Sequence, residues 1–241
     1  YHFLSGRQVP KSCGADFFPE TGVKKGLVLL KSENMELEAC VETFEEAMEA
    51  WQRGATRIEL CADLSQDGLT PAATVLQKTC ASLPIPVMAM VRPRGGDFVY
   101  SPAEVAQMEE EIARVKTLGA AGIVLGLLTP GNRVDVENTR RLAEAARPLP
   151  VTFHKAIDRM EDPAEGVRQL RTIPGISRIL TSGGKITARE GAPKIREMIA
   201  EAGDRIIILV AGRVTSENLA EIRQLTGATE FHGRKIVGEL R

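Results

Sequence analysis

The chain has 241 residues, with 31 basic against 32 acidic side chains. That balance argues against a nucleic-acid binder driven by a basic surface, and no apolar run is long enough to span a bilayer. The four cysteines, Cys13, Cys40, Cys61 and Cys80, form no CxxC pair in a chain long enough to build a real core, which points to a reduced, cytoplasmic protein rather than a disulfide scaffold.

Residues 1–34 mix Gly, Pro, Lys and Ser with two short apolar clusters, Phe17-Phe18 and Leu27 to Leu30. They read as an N-terminal extension without a secretory signal pattern, with Met35 as the natural start of a single domain over 35–241. From Met35 a strand–helix unit repeats. Met35 to Cys40 reads as a strand and Phe44 to Arg53 as a helix stopped by Gly54. Thr56 to Cys61 is a strand, and Pro71 opens a helix to Ser82. Val87 to Val91, an apolar run between prolines, is a buried strand. Ser101, Pro102 and Glu104 form a capping box for a helix to Leu118. The expected elements then alternate: strand Ala121 to Leu125, helix Val136 to Ala146, strand Val151 to His154, helix Pro163 to Thr172. They continue with strand Ser177 to Thr181, helix Arg189 to Ala202, strand Arg205 to Val210, a helix capped by Thr215 and running to Leu225, and strand Ala228 to His232.

Eight strands alternating with seven helices imply right-handed βαβ units and a parallel sheet closed into a (β/α)8 TIM barrel. An open doubly wound sheet is the runner-up, but no GxGxxG follows the first strand. An eighth helix is missing, so cover for the last strand is expected from the extension, a partner subunit or lost sequence. Without it, that strand and the helices beside it should expose apolar side chains.

Alternate strand residues face the same side, and in a barrel one side faces the interior. The polar set of each strand is assigned inward, because helices cover the apolar set. This brings Cys40, Glu59, Cys61, Arg92, His154, Glu230 and His232 to the barrel mouth. A structural interior would be filled with Val, Ile and Leu, so these residues are the strongest functional signal. Buried charges are costly unless paired, so Glu59 and Glu230 are expected to pair with Arg92 and its neighbours. Arg92 and Arg94 flank a rigid proline ahead of Gly95-Gly96 and suit an anion site. Asp158 could orient a base or hold a cation, with helix entry as the alternative. Thr181-Ser182-Gly183-Gly184 offers hydroxyls and amides of the kind that bind phosphate in late barrel loops. Cys40 and Cys61 end adjacent strands on the same parity. A dithiolate there suits Cu(I), and small apolar filler is the competing reading.

Several motifs together resemble the CutC family of copper homeostasis proteins. They are Glu59-Leu60-Cys61, Arg92-Pro93-Arg94-Gly95-Gly96-Asp97-Phe98, Thr152-Phe153-His154-Lys155-Ala156, Leu180-Thr181-Ser182-Gly183 and Ala228-Thr229-Glu230-Phe231-His232. The resemblance runs from about Met35 to His232. It implies a cytoplasmic TIM barrel that forms homo-oligomers, a dimer or higher, and carries copper on strand-end cysteines, here Cys40 and Cys61. The alternative is an enzyme or sensor for a small anionic metabolite. There Glu59, Arg92, His154 and Glu230 would be catalytic, and Arg94, Lys155, Asp158, Ser182, Gly183 and His232 would bind ligand. Neither reading involves nucleic acid or a membrane.

Overall fold

The protein is described from a computed structural model, in which residues 35–240 are placed. The extension expected over residues 1–34 lies outside the described residues. The strands are β1 (Glu36–Val41), β2 (Arg57–Leu60), β3 (Val87–Met90), β4 (Gly122–Leu125), β5 (Val151–Phe153), β6 (Ile176–Thr181), β7 (Ile207–Val210) and β8 (Glu230–Gly233). All pair in parallel with their sequence neighbours, and β8 closes on β1. The helices between them are α1 (Phe44–Gln52), α2 (Ala73–Ser82), α3 (Pro102–Thr117), α4 (Val136–Ala146), α5 (Pro163–Leu170), α6 (Ala188–Ala202) and α7 (Leu219–Thr226). The chain is thus a (β/α)8 barrel, in which right-handed crossovers place every helix outside the sheet.

Capping chemistry sets several helix starts. Ser101 and Glu104 form the expected reciprocal box on α3, and Thr43 with Glu46 and Thr187 with Glu190 do the same on α1 and α6. Two starts differ from expectation. Pro71 precedes α2 rather than opening it. Thr70, ahead of the proline and therefore biased to extended backbone, is tied to the end of β3 by exchanging hydrogen bonds with Arg92. Thr215 does not cap α7. Its N–H donates to Asn218 Oδ1, and the helix begins one turn later.

The parity assignment holds. The outward residues of the strands, among them Ala39, Ile58, Leu60, Ala89, Ile123, Phe153, Ile179, Val210 and Phe231, form one apolar core with the helices. The interior is different. Its apolar residues fall into two separate groups, Cys40, Cys61, Met88, Met90 and Val124 in one and Leu180, Leu209 and Ala211 in the other. Buried Glu38, Arg57, Glu59, Glu230 and His232 also belong to the inward set.

Among the described residues no helix follows β8. The expected exposed apolar patch is nevertheless not there, since the large apolar side chains that stand exposed are Ile186 and Ile207. Residues 234–240 supply the cover. Arg234 pairs with Glu42 and Glu46 at the start of α1, and Arg53, just past its end, bonds the Glu239 carbonyl. The tail therefore runs the length of α1, burying Ile236 in the outer core with Val237 and Leu240 packed beside it. This strap is a chain of turns rather than a helix, with the Ile236 amide donating to the Gly233 carbonyl and the Gly238 amide to the Lys235 carbonyl, which also accepts from the Ser216 amide in the loop after β7.

Candidate functional site

At the C-terminal ends of the strands lies a cavity of about 730 Å³, lined among others by Cys40, Glu59, Arg92, His154, Lys155, Asp158, Ser182 and His232. Cys61 lies against it from behind. Its sulfur is 3.5 Å from that of Cys40, and both thiols are buried. Gly68 makes this possible. Its positive φ of 85° suits glycine, and a Cβ there would press on the Cys61 side chain.

Below the thiols sits a chain of charge. Glu38 Oε1 is 3.0 Å from His232 Nδ1, and the other Glu38 oxygen accepts from Arg57 Nε. Arg57 Nη2 donates to Glu230 at 2.6 Å, and Arg178 Nε donates to the same carboxylate at 2.8 Å. His232 Nε2 faces Glu59 Oε2 at 3.6 Å. Burial raises the Glu38 carboxyl, but the hydrogen bond from His232 and the charge of Arg57 outweigh it and hold the group at about 2. Burial alone would lower His232. The charge of Glu59 and the contacts with Cys40 and Glu38 instead push it well above the usual imidazole range. Glu59 is raised, chiefly by burial. Its bond to Cys61 and its burial push the Cys40 thiol far up. Cys61 gains from that shared bond, yet burial and the charge of Glu59 still leave it raised.

The expected pairing of Glu59 and Glu230 with Arg92 does not occur. Glu230 opens β8, level with Glu36 of β1, so it belongs to the opposite end of the barrel from the mouth and does not line the cavity. Arg92 lies beyond the end of β3. Its Nη1 donates to the carbonyls of Gln66 at 2.6 Å and Gly68 at 3.2 Å, and its Nη2 to that of Gly96 at 3.2 Å. Arg94 turns to Glu104, Asp97 and the carbonyls of Gly95 and Val99, stacks on Tyr100 and does not line the cavity.

The loop after β6 is spent internally. Asp158 Oδ2 accepts from the Ser182 amide and hydroxyl, both at 2.9 Å. Its Oδ1 accepts from Thr181 Oγ1 at 2.5 Å and from the Gly184 amide at 2.9 Å. Lys155 Nζ stands 3.6 Å from the same carboxylate. The Gly183 amide donates to Thr181 Oγ1, and a Cβ at Gly183 would collide with the Gly191 backbone of α6. Asp158 thus locks the loop to the turn after β5; Ser182 is spent on Asp158 and Gly183 on Thr181, so neither is a free donor.

His154 caps that turn. Its Nδ1 accepts from the Ala156 amide at 3.2 Å, and its ring fits because the neighbouring strand end carries Gly126, where a Cβ would strike the imidazole. Burial and the charge of Arg92 lower its pKa to about 3. Sequence reading missed Gly126 and also Phe98, whose ring centre is 4.9 Å from that of His154 and 4.9 Å from the Arg92 guanidinium carbon. It missed Arg57 as well, although Arg57 shares the parity of Glu59 and Cys61.

Two groups of side chains have ligand atoms within 4.8 Å of one another. One is Cys40, Glu59 and Cys61, and the other is Glu38, Glu59 and His232. The first offers two soft sulfurs and the second only harder oxygen and nitrogen donors, with one of its carboxylates already paired to Arg57.

The CutC family model matches residues 35–237. The chain is 45% identical over 196 residues to the copper homeostasis protein cutC homolog of Homo sapiens, covering 81% of this chain and 71% of that protein. It is 40% identical over 198 residues to a CutC family protein of Pasteurella multocida, covering 82% of this chain and 81% of that one. A solved CutC structure from Streptococcus agalactiae superposes with a TM-score of 0.80 at 35% identity, covering 84% of this chain and 99% of that chain. With its barrel, its mouth and its motifs all inside the matched region, the chain belongs to the CutC family.

Proposed function

We propose that this protein serves copper homeostasis by binding Cu(I) through Cys40 and Cys61. The observation that carries this reading is the 3.5 Å separation of two buried sulfurs at the wall of an open cavity. With metal–sulfur bonds of about 2.3 Å, as sulfur makes to zinc, one ion fits between them in a bent arrangement. A straighter one needs the sulfurs to part by about 1 Å. Two soft thiolates without two further nitrogen or sulfur ligands suit Cu(I) better than structural zinc, which closes four positions. Both thiols are protonated at neutral pH, so the ion must displace their protons and supply the positive charge that Glu59 beside them favours.

The test is a titration of reduced, metal-free protein with Cu(I) against a competing chelator. The Cys40→Ser/Cys61→Ser double variant is expected to lose binding while keeping its fold. Equal Cu(I) affinity in that variant would overturn the reading and leave both cysteines as core filler.

A further inference from the structure

Arg92 carries a charge that the protein does not answer. It is 1% exposed, yet no carboxylate pairs with it among the described residues; its guanidinium meets three backbone carbonyls, the Phe98 ring and the Tyr100 hydroxyl. Its Nε is buried without a hydrogen bond, and the neighbouring Tyr100 hydroxyl is neutral and leaves the charge uncompensated. A buried cation without a counter-charge is strongly unfavourable, so the open side of this guanidinium calls for an anion.

A second unpartnered donor lies beside it. Because His154 Nδ1 accepts the Ala156 N–H, the neutral ring carries its proton on Nε2, and that atom is also buried without a partner. Phe98 lies against both groups. The same cavity holds a third unanswered atom of opposite kind, the acceptor Oε1 of Glu59.

The size and the remaining walls narrow the ligand. A cavity with Met90, Phe98 and Leu180 in its wall suits an organic ligand with an apolar part better than a bare inorganic ion. The loop after β6, where a barrel would seat a phosphate, is closed to one. Its Ser182 and Gly184 amides already hold Asp158, and its Gly183 amide holds Thr181. Beside Asp67, Asp158 and Glu190 the cavity wall also carries Arg159 and Lys185, which make no ion pair among the described residues. A ligand hydroxyl would supply the donor that Glu59 Oε1 lacks.

We propose that the barrel mouth binds a small hydroxy carboxylate, its carboxylate held by Arg92 Nε and His154 Nε2 and its hydroxyl by Glu59 Oε1. A carboxylate offers two oxygens in the plane of the guanidinium fork and matches these donors in number. Glu59 also stands beside the thiol pair, whereas the carboxylate end of the site involves neither sulfur nor copper.

Calorimetric titration of the reduced, metal-free full chain with lactate, glycerate, propionate, lactamide and inorganic phosphate tests this. Lactate or glycerate should bind, propionate more weakly, and uncharged lactamide and phosphate not measurably. His154→Asn keeps an acceptor for the Ala156 amide but removes the Nε2 donor, so it should fold and bind at least roughly tenfold more weakly, the loss of one charge-assisted hydrogen bond. Arg94→Gln, outside the cavity, should bind as the unaltered chain does. Absence of hydroxy carboxylate binding, a response to phosphate alone, or unchanged affinity in a folded His154→Asn would each overturn the proposal.

Discussion

Glu38 and His232 sit on the first and last strands of the barrel, and the 3.0 Å contact between Oε1 and Nδ1 bridges the seam where the sheet closes. The same carboxylate takes Arg57 from the second strand, so three strands meet in one charged knot. Removing one partner of such a buried set leaves the others uncompensated. Glu38→Gln is expected to cost on the order of 3–5 kcal/mol in urea unfolding. Glu38→Gln combined with His232→Gln should cost less than the two single changes added, because the second removes a group already stranded by the first. Strict additivity would show that the two residues do not act as a pair.

His154 gives the protein a specific acid weakness. Its folded pKa, about 3, lies below the value of 6.5 for a free imidazole. Between these values the unfolded chain takes up a proton that the folded chain refuses, so stability falls as the pH drops through this window. His154→Asn should make the dependence shallower by up to about 1.4 kcal/mol per pH unit between roughly pH 6 and pH 4. Parallel stability curves for the two proteins across that range would refute the depressed pKa.

Thiol reactivity follows from the same environment. The bond to Cys61 and then burial push Cys40 up, burial and the charge of Glu59 push Cys61 up, and burial alone raises the half-buried Cys80 to about 11. The thiolate is the reactive form, so alkylation of these residues at neutral pH should be far slower in folded than in urea-unfolded protein. Bound Cu(I) should slow Cys40 and Cys61 further and leave Cys80 unchanged. Peptide mass mapping after timed alkylation reads all three at once, and fast labelling of Cys40 in the folded, metal-free protein would contradict this picture.

The strap after the last strand is expected to act as part of the core. Ile236 is buried in the outer core, and Ile236→Ala should cost about 2–5 kcal/mol. A change below about 0.5 kcal/mol, the range of surface substitutions, would mean that the strap is not part of the folded unit. Arg234→Ala, which removes only exposed pairs with Glu42 and Glu46, should cost no more than about 1 kcal/mol.

The barrel was legible in the chain because its signals are local. Apolar runs a few residues long, capping boxes such as Ser101 with Glu104, and the period-two alternation of Glu59 with Cys61 each depend on neighbours in sequence. Together they fixed which residues face inward, and so brought Cys40, Glu59, Arg92, His154 and His232 to one interior. Height along the barrel axis and choice of partner are not local. Register between strands that meet only on closure placed Glu230 at the far end with Arg57 and Arg178, out of reach of Arg92. The folding of the Pro71 and Gly95-Gly96 loops gave Arg92 carbonyls where a carboxylate was expected, and turned Arg94 away to Glu104. Contacts across the turn after β5 committed Ser182 to Asp158, and the Gly183 amide turned back to Thr181. A sequence fixes parity because pleating is a property of each strand alone. Which charges meet depends on the stagger of all eight strands, and that exists only once the barrel is closed.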